Sequence, residues 1–246
     1  MPQVSARKLS CLLGLVTATV VSLTFGADRI LAEEPVADAA TARHFNRRVS
    51  GNRKLREEAA QTKEDLIVLL GFGQGMPFGP DFGGATPDGS VLRAKACAAD
   101  VVLVARPQEA SHSAFSEDGS TIFTVRGFSV ERALRQSSVS LAQFPSSILV
   151  ATLGGSVNVN GHTISVRQPS VPGFQPGRRY LLFLTAIPGS TTFWAVPGGI
   201  YDIGGESVVS ARWSKALTIS PAEALQEIED VSGRCPKGPG TGALEY

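Results

Sequence analysis

The stretch FQPGRRYLLFLTA, residues 174–186, decides how the rest of this 246-residue sequence is interpreted. It begins with a Pro176-Gly177 turn signal and two arginines, continues as an uninterrupted apolar run, and is followed by Pro188-Gly189. A short apolar run bounded by turn residues is typical of a strand that is buried on both faces. We therefore predict that residues 179–186 form the central strand of a small closed sheet.

The N-terminus has the layout of a secretory signal peptide. Arg7 and Lys8 precede an apolar stretch at residues 12–25, and the small residues Gly26, Ala27 and Ala32 follow it. At roughly 14 residues, the apolar stretch is too short to cross a hydrocarbon core of ~30 Å. We predict a signal peptide at residues 1–32, export to the periplasm or the extracellular space, and no stable membrane span after cleavage. The alternative is an uncleaved anchor.

The charge that remains after this cleavage argues against nucleic-acid binding. Removal of residues 1–32 takes three of the 23 basic and one of the 22 acidic residues, which leaves 20 basic and 21 acidic residues. No basic stripe remains, so the sequence lacks the electrostatic signature of a nucleic-acid partner. The expected partner is an unknown protein or another envelope component.

Two cysteines, Cys97 and Cys235, remain in the exported form. An even pair in an exported protein favours a disulfide bond, the alternative being two unlinked buried thiols.

Residues 33–90 are predicted to form a leader that precedes the folded domain. Residues 33–50 are polar and small, which is typical of a flexible segment. Apolar positions at near-helical spacing predict one helix over residues 53–70, with Gly71 as its C-cap. Residues 71–89 are rich in glycine and proline and predict a linker. The Gly71-x-Gly73-x-Gly75 pattern does not predict a cofactor site, because Pro77 and Pro80 prevent the helix that a dinucleotide loop requires.

Residues 91–235 are predicted to form the β-rich domain. A short helix is expected at residues 86–97, and strand two is expected to bend at Gly127, where the apolar alternation changes parity. Asn160-Gly161 is the strongest short-range hairpin signal in the chain. Ser220, Pro221 and Glu223 predict the start of a C-terminal helix that runs to about Val231 and is closed by Gly233. A polar excursion is expected at residues 108–120, and a disordered tail at 236–246. The predicted strands are residues 100–105, 121–134, 148–153, the hairpin 157–166, 179–186, 193–203 with a break at 197–199, and 208–213.

These segments together resemble the netrin-like and tissue-inhibitor-of-metalloproteinase-like OB-fold domains. The resemblance covers about residues 94–235. It implies a mainly β fold, a small OB-like Greek-key β-barrel of five to six strands with a C-terminal helix packed on it. None of the matching stretches is a catalytic signature, so the resemblance bears on the fold more than on activity. The stretches that carry it are CAADVVLVA at 97–105, FTV at 123–125, VERAL at 130–134 and FQPGRRYLLFL at 174–184.

The residue types needed for catalysis are scarce in this chain. It has three histidines, His44, His112 and His162, and neither a zinc-ligand spacing nor a Gly-x-Ser-x-Gly elbow. We predict a protein that is not an enzyme, with no catalytic, cofactor or metal residues. The expected function is an exported, non-catalytic binding or protein-interaction module. The candidate surface residues are Asn160, Gly161, His162, His112 in the 110–119 loop, and the aromatic residues Trp194, Tyr201 and Trp213.

Two alternatives remain open. In the animal inhibitors that the domain resembles, an N-terminal cysteine chelates the protease zinc through its amine and carbonyl. A metalloprotease inhibitor of this type would require processing just before Cys97. An enzyme of unrecognised class would require a cleft in which His112 or His162 meets a carboxylate.

Overall fold

A computed structural model describes residues 35–46, 54–70, 89–136, 144–168, 171, 173–210, 215–216, 219–232 and 234–235. Several predictions lie outside these residues: the signal peptide at 1–32, the 71–88 part of the linker, Trp213, Gly233 and the tail at 236–246. The described helices are Ala39–His44 (α1), Leu55–Gln61 (α2), Gly89–Ala98 (α3) and Pro221–Ser232 (α4). The described strands are Leu66–Leu69 (β1), Val101–Phe115 (β2), Ile122–Gln136 (β3), Ser147–Leu153 (β4), Gly155–Val159 (β5), His162–Arg167 (β6), Tyr180–Ala186 (β7), Thr192–Asp202 (β8), Val209–Ser210 (β9) and Lys215–Ala216 (β10).

The strands form two sheets, which confirms a mainly β fold with a C-terminal helix. The larger sheet has the order β10-β9-β8-β4-β3-β2-β7, and β8 also pairs with β7. Strands β2, β3, β4, β8 and β7 therefore form a ring of pairings, in which only β4 and β8 run parallel. The smaller sheet has the order β1-β6-β5. The architecture is barrel-like, with a second sheet beside the ring.

Strand β7 is the buried central strand that its sequence predicts. It pairs with β2 on one side and β8 on the other, and its first five residues are all buried. Leu181 and Phe183 pack in a cluster with Leu92 of α3 and Ile228 of α4. The alternate residues Tyr180, Leu182 and Leu184 pack in a different cluster with Phe128, Val150 and Ile200. The apolar run is unbroken because each face of the strand contacts its own core.

Strand β3 changes its buried face near Gly127, as predicted. Phe123 and Val125 belong to one core cluster and Phe128 to another. The register shift, however, lies in β2, where Pro107 pairs with Phe128 and Ser111 pairs with Arg126. A Cβ on residue 127 would lie 2.1 Å from the Gln108 side-chain oxygen. Glycine at this position therefore leaves room for the Gln108 side chain of β2.

The predicted polar excursion at residues 108–120 is wrong over most of its length. Strand β2 continues to Phe115, and only the turn around Glu117 and Asp118 is irregular. The Arg126 side chain donates hydrogen bonds to the carbonyl oxygens of Gln108 (2.8 Å) and Glu109 (3.3 Å), which satisfies the backbone where the register shifts. Burial of its guanidinium lowers the pKa of Arg126. The sequence of residues 108–115 does not show the polar and apolar alternation of a strand, because the register shift between Pro107 and Ser111 interrupts it.

The two described parts of the predicted leader pack in the core of this sheet domain. Phe45 and Leu55 are each 1% exposed, and the ring of Phe45 stacks on that of Phe123 at 4.8 Å. The helix predicted over 53–70 ends at Gln61, and residues 66–69 form β1, which pairs in parallel with β6. The apolar run at 66–70 favours a strand because its alternate side chains, such as Val68, are buried against the hairpin.

Residues 35–46 are also fastened by polar contacts. Asp38 caps α1 by accepting a hydrogen bond from the Thr41 amide (2.7 Å) and accepts another from the Ser190 hydroxyl (2.6 Å). Partial burial, the largest influence, raises the pKa of Asp38, but these hydrogen bonds together hold it below its ordinary value. The turn between β7 and β8 is therefore tied to α1.

The C-terminal helix and the disulfide match their predictions. Ser220 and Glu223 form the capping box, with each side chain accepting from the other residue's backbone amide. Cys97 at the end of α3 is bonded to Cys235, which follows α4.

Strand β8 is continuous where a break was predicted at 197–199, with Gly198 at φ +66° beside the register shift between β7 and β8. The strand predicted at 208–213 is short, covering Val209–Ser210 among the described residues. Among the described helices, none is long and apolar enough to span a membrane.

Gly154 and Gly155 form the corner at which the chain leaves the ring and enters the second sheet. Their φ angles are +100° and +142°. A Cβ on residue 155 would lie 2.2 Å from the Thr124 hydroxyl oxygen and 2.6 Å from that of Ser113. These two hydroxyls hydrogen-bond each other at 2.9 Å. The close approach of two strands therefore requires glycine here.

We expect Gly155→Ala to lower the free energy of unfolding by about 2–4 kcal/mol, the sum of backbone strain and overpacking. Urea unfolding measures the change. Gly161→Ala is the control for backbone strain without overpacking, because residue 161 also has a positive φ, +85°, but no atom lies within 4 Å of the added Cβ. Equal losses in the two variants would show that the close packing at residue 155 contributes nothing.

Candidate interaction site

The predicted Asn160-Gly161 hairpin is present and exposed. Asn160 and Gly161 both have positive φ angles, +53° and +85°, as a two-residue hairpin turn requires. The Asn158 side-chain oxygen accepts a hydrogen bond from the Gly161 amide at 3.1 Å. His162 starts β6 and pairs with Val159 across the turn. The structure thus brings Asn160, Gly161 and His162 together at the tip of β5 and β6.

This hairpin is joined by β1 to form the second sheet, whose two faces differ in polarity. Val68, Ile164 and Val166 are buried on the inner face, in the cluster that also contains Phe45 and Phe123. The outer face is mainly polar, and Ser156 and Ser165 hydrogen-bond each other there at 2.8 Å. Ile67 and Leu69 of β1 are paired in register with Ser165 and Arg167, so they share this outer face.

Ile67 and Leu69 also mark an open edge of the sheet. The Leu70 amide donates to the Arg167 carbonyl at 3.0 Å, so the backbone groups of residues 66, 68 and 70 point towards β6. Because backbone groups alternate along a strand, those of Ile67 and Leu69 point the opposite way. Within the described part of the chain, no strand pairs with this side of β1. The two side chains are 56% and 69% exposed.

The position of β1 is fixed by the segment that precedes it. Leu55 and Ala59 of α2 are buried in the same core cluster as Val68. At the start of β1, the Asp65 carboxylate accepts a hydrogen bond from the Thr163 amide at 2.8 Å. The Asn160 side chain reaches the Ala60 carbonyl at 3.5 Å. The open edge therefore lies on a strand that is held at its start and along its inner face.

The two described aromatic candidates, Trp194 and Tyr201, are not on the surface. Trp194 is 8% exposed, and its ring lies 5.0 Å from that of His44. Tyr201 is 2% exposed and contacts the ring of Phe183 at 5.7 Å. Both lie on β8, which has paired strands on both sides and core clusters on both faces. The prediction that they contribute to an interaction surface is wrong, because they are core residues.

The histidines are distributed over different elements. His112 is half-buried on β2 opposite Val125, on a strand and not in the predicted loop. His44 contacts the rings of Phe45 and Trp194 at the end of α1. Within the described residues, no group of three or more histidine, cysteine, aspartate or glutamate side chains is placed to hold a metal ion.

A second polar cluster, which the sequence did not predict, lies where Arg178 and Arg179 enter β7. The Glu131 carboxylate accepts hydrogen bonds from Arg106 of β2 and from Arg179 (2.7 Å). Arg178 contacts Asp202 at 3.2 Å. Partial burial, the largest influence, raises the pKa of Glu131, but the hydrogen bonds from the two arginines together hold it below its ordinary value of 4.5. The two arginines before β7 are thus joined to Glu131 of β3 and to Asp202 of β8.

We expect Glu131→Gln to destabilise the protein by about 1 kcal/mol or less at neutral pH, since the pairs are partly exposed. A carboxylate whose pKa is lowered by folding contributes stability above its unfolded pKa, and this contribution is lost as the pH falls through the folded pKa. The difference in unfolding free energy between the wild type and the variant should therefore shrink below about pH 4.5. A difference that stays constant from pH 7 to pH 3 would contradict the role of the charge.

Comparison with known proteins gives no family assignment: no family model matches the chain, and no curated protein matches it significantly.

Proposed function

We propose that this chain is an exported, non-catalytic binding module of the netrin-like type, whose second sheet binds an extended segment of a partner protein at the edge of β1. The ring order β2-β3-β4-β8-β7, with β4 and β8 parallel, supports an OB-like Greek-key barrel as its scaffold. Export follows from the signal-peptide layout of residues 1–32. The partner is a protein of the envelope or the extracellular space.

The open edge of β1 is the observation that carries this proposal. An exposed edge presents a row of backbone donors and acceptors that another strand can satisfy. Peptide recognition by strand addition uses these main-chain hydrogen bonds for affinity and side-chain contacts for specificity. In this chain Ile67 and Leu69 provide both, because their backbone groups point away from β6 and their side chains are exposed.

The face beside this edge favours a specific kind of partner. An added strand would place alternate side chains next to Ile67 and Leu69, which are more exposed than the buried Val68 between them. Apolar side chains of the partner would bury surface there at about 25 cal/mol per Å². The expected ligand is therefore an extended segment with apolar residues at alternate positions.

A displayed library of random short peptides is the probe for this site. Peptides selected on the disulfide-bonded chain should contain alternating apolar residues and should bind at least tenfold more weakly to Leu69→Pro. Proline removes the outward amide of residue 69 without removing a hydrogen bond to β6. Leu69→Ile retains both the amide and an exposed apolar side chain. It is the matched backbone control and should keep most of the binding.

Val36→Lys is the matched surface control for Ile67→Lys. Val36 is 71% exposed, so the two variants each place a charge on an exposed aliphatic position. Ile67→Lys should reduce peptide binding at least tenfold, whereas Val36→Lys should leave it unchanged. Peptides that bind both Leu69→Pro and Ile67→Lys as well as the wild type would overturn the proposed site. Turnover in hydrolase or redox assays would overturn the non-catalytic assignment.

The alternative inhibitor function receives no support from the position of Cys97. This residue lies in α3 and is bonded to Cys235. A free amine at residue 97 would require removal of Phe45, Leu55 and Val68, which are buried in the core. Sequencing of the mature N-terminus tests this: a start at Cys97 would favour inhibition, and a start upstream of Pro35 supports the binding module.

A further inference from the structure

Three arginines, one from β2 and two from the segment before β7, line an open cleft of about 420 Å³ at one end of the ring. Arg106 comes from β2, while Arg178 and Arg179 follow the Pro176-Gly177 turn. The other lining residues are Pro176, Gly177 and Gly204. Among the residues that the structure describes, the lining therefore contains three positive charges and no acidic residue.

The acidic residues hold the arginines without lining the cleft. Glu131 and Asp202 are each 27% exposed at their side chains, whereas Arg106, Arg178 and Arg179 are 47%, 46% and 41% exposed. Glu131 binds Arg106 and Arg179 through their Nε atoms. The carboxylates thus lie deeper than the guanidinium groups, which fixes the arginines while their outer donors remain accessible.

The arginine nitrogens that are available to a ligand are those that do not already donate to a carboxylate or a carbonyl of the protein. Arg106 uses Nη1 to donate to the Gly177 carbonyl at 2.7 Å, which also fixes the turn. Arg178 uses Nη1 for Asp202 at 3.2 Å. Within the described residues, the Nη atoms of Arg179 make no hydrogen bond. Ordered guanidinium groups with accessible Nη donors are the preferred partners of oxyanions in proteins.

We propose that this cleft binds a phosphate group of a phosphorylated ligand through Arg106, Arg178 and Arg179. A carboxylate has two oxygens and can be bound by one guanidinium fork, whereas a phosphate monoester presents three terminal oxygens and close to two negative charges. Three guanidinium groups fit the phosphate better. Gly177 has no side-chain carbon, and no atom lies within 4 Å of the position a Cβ would take there, which leaves room for the group that carries the phosphate. This site shares no residue with the β1 edge, so either can fail without the other.

Phenyl phosphate is the probe, and benzoate is the matched carboxylate with the same ring. In calorimetric titrations at constant physiological salt, phenyl phosphate should bind saturably to the disulfide-bonded chain and at least tenfold more tightly than benzoate. Arg178→Gln should weaken phenyl phosphate binding at least fivefold. This variant is chosen because Arg178 contacts Asp202 at the surface and its loss leaves the Glu131 pairs intact.

Arg132→Gln is the matched charge control, since Arg132 lies on β3 next to Glu131 but pairs with Glu229 and does not line the cleft. It should change binding less than twofold. Thermal unfolding of each variant confirms that it is folded.

Binding to vesicles containing phosphatidic acid but not to phosphatidylcholine vesicles, with the same loss in Arg178→Gln, would place a lipid headgroup in the cleft. Binding of phenyl phosphate alone would place a soluble ester there.

Three results would overturn the proposal. The first is no saturable binding of phenyl phosphate or of phosphatidic acid vesicles. The second is an equal affinity for benzoate, which would show that the cleft does not select phosphate. The third is an equal loss of binding in Arg178→Gln and Arg132→Gln, which would show that net charge alone attracts the anion.

Discussion

A chain that begins at Gly89 is expected to lose the cooperative thermal unfolding transition of the whole protein. This truncation keeps all strands of the ring but removes α1, α2 and β1. Phe45, Leu55, Val68 and Leu70 would be lost from the core, and Phe123, Ile164 and Trp194 would be uncovered. At about 1.5–3 kcal/mol for each buried side chain, the four losses amount to roughly 6–12 kcal/mol. Since single domains have a total stability of about 5–15 kcal/mol, the truncated chain should be largely unfolded.

A chain that begins at Pro35 is the control for this truncation, because it keeps every core residue named above. It should unfold at the same temperature as a chain that begins at Glu33, within error, as measured by circular dichroism. A cooperative transition in the chain that begins at Gly89, close in midpoint to that of the control, would support the original prediction that the preceding residues are a leader outside the domain.

The double substitution Cys97→Ser, Cys235→Ser is expected to lower the free energy of unfolding by about 5 kcal/mol. The disulfide joins residues 138 positions apart, and the chain-entropy model assigns a loop of this length a stabilisation of that size. The bond also holds the end of α3 beside the end of α4. Ala224 and Ile228 of α4 cover one face of β7. Urea unfolding of the variant and of the oxidised wild type measures the difference.

Reduction of the wild type provides the internal control. A reductant should bring the wild type to the stability of the double variant and leave the variant unchanged. A loss below about 1 kcal/mol, far under the chain-entropy value, would show that the bond adds little to the packing of the two helices.

The sequence predicts those parts of the fold that depend on local signals. The buried strand β7 can be predicted from its own sequence alone, because a strand with paired strands on both sides and a core on each face is apolar throughout. The Asn160-Gly161 turn and the Ser220 capping box are likewise local, since each follows from the backbone angles or hydrogen bonds of a few residues. These elements match in position and type.

The parts that the sequence did not predict depend on contacts between distant residues. Four residues at 66–69 are compatible with either helix or strand, and the choice is made by parallel pairing with β6, about a hundred positions away. Trp194 and Tyr201 are amphipathic residues whose burial follows from the interior position of β8. The arginine cleft is assembled from β2, the segment before β7 and Gly204 after β8, so no single stretch of sequence contains it.

Amide hydrogen exchange at residues 67–70, measured by NMR on the disulfide-bonded chain, tests the account most directly. The open edge of β1 predicts that the Ile67 and Leu69 amides exchange at least tenfold faster than those of Val68 and Leu70, which point towards β6. A peptide selected on the sheet should then slow exchange at Ile67 and Leu69. Equal protection of all four amides in the free protein would show that the edge is already covered, and equal lack of protection would show that β1 is not a strand; either result would contradict the proposed binding site.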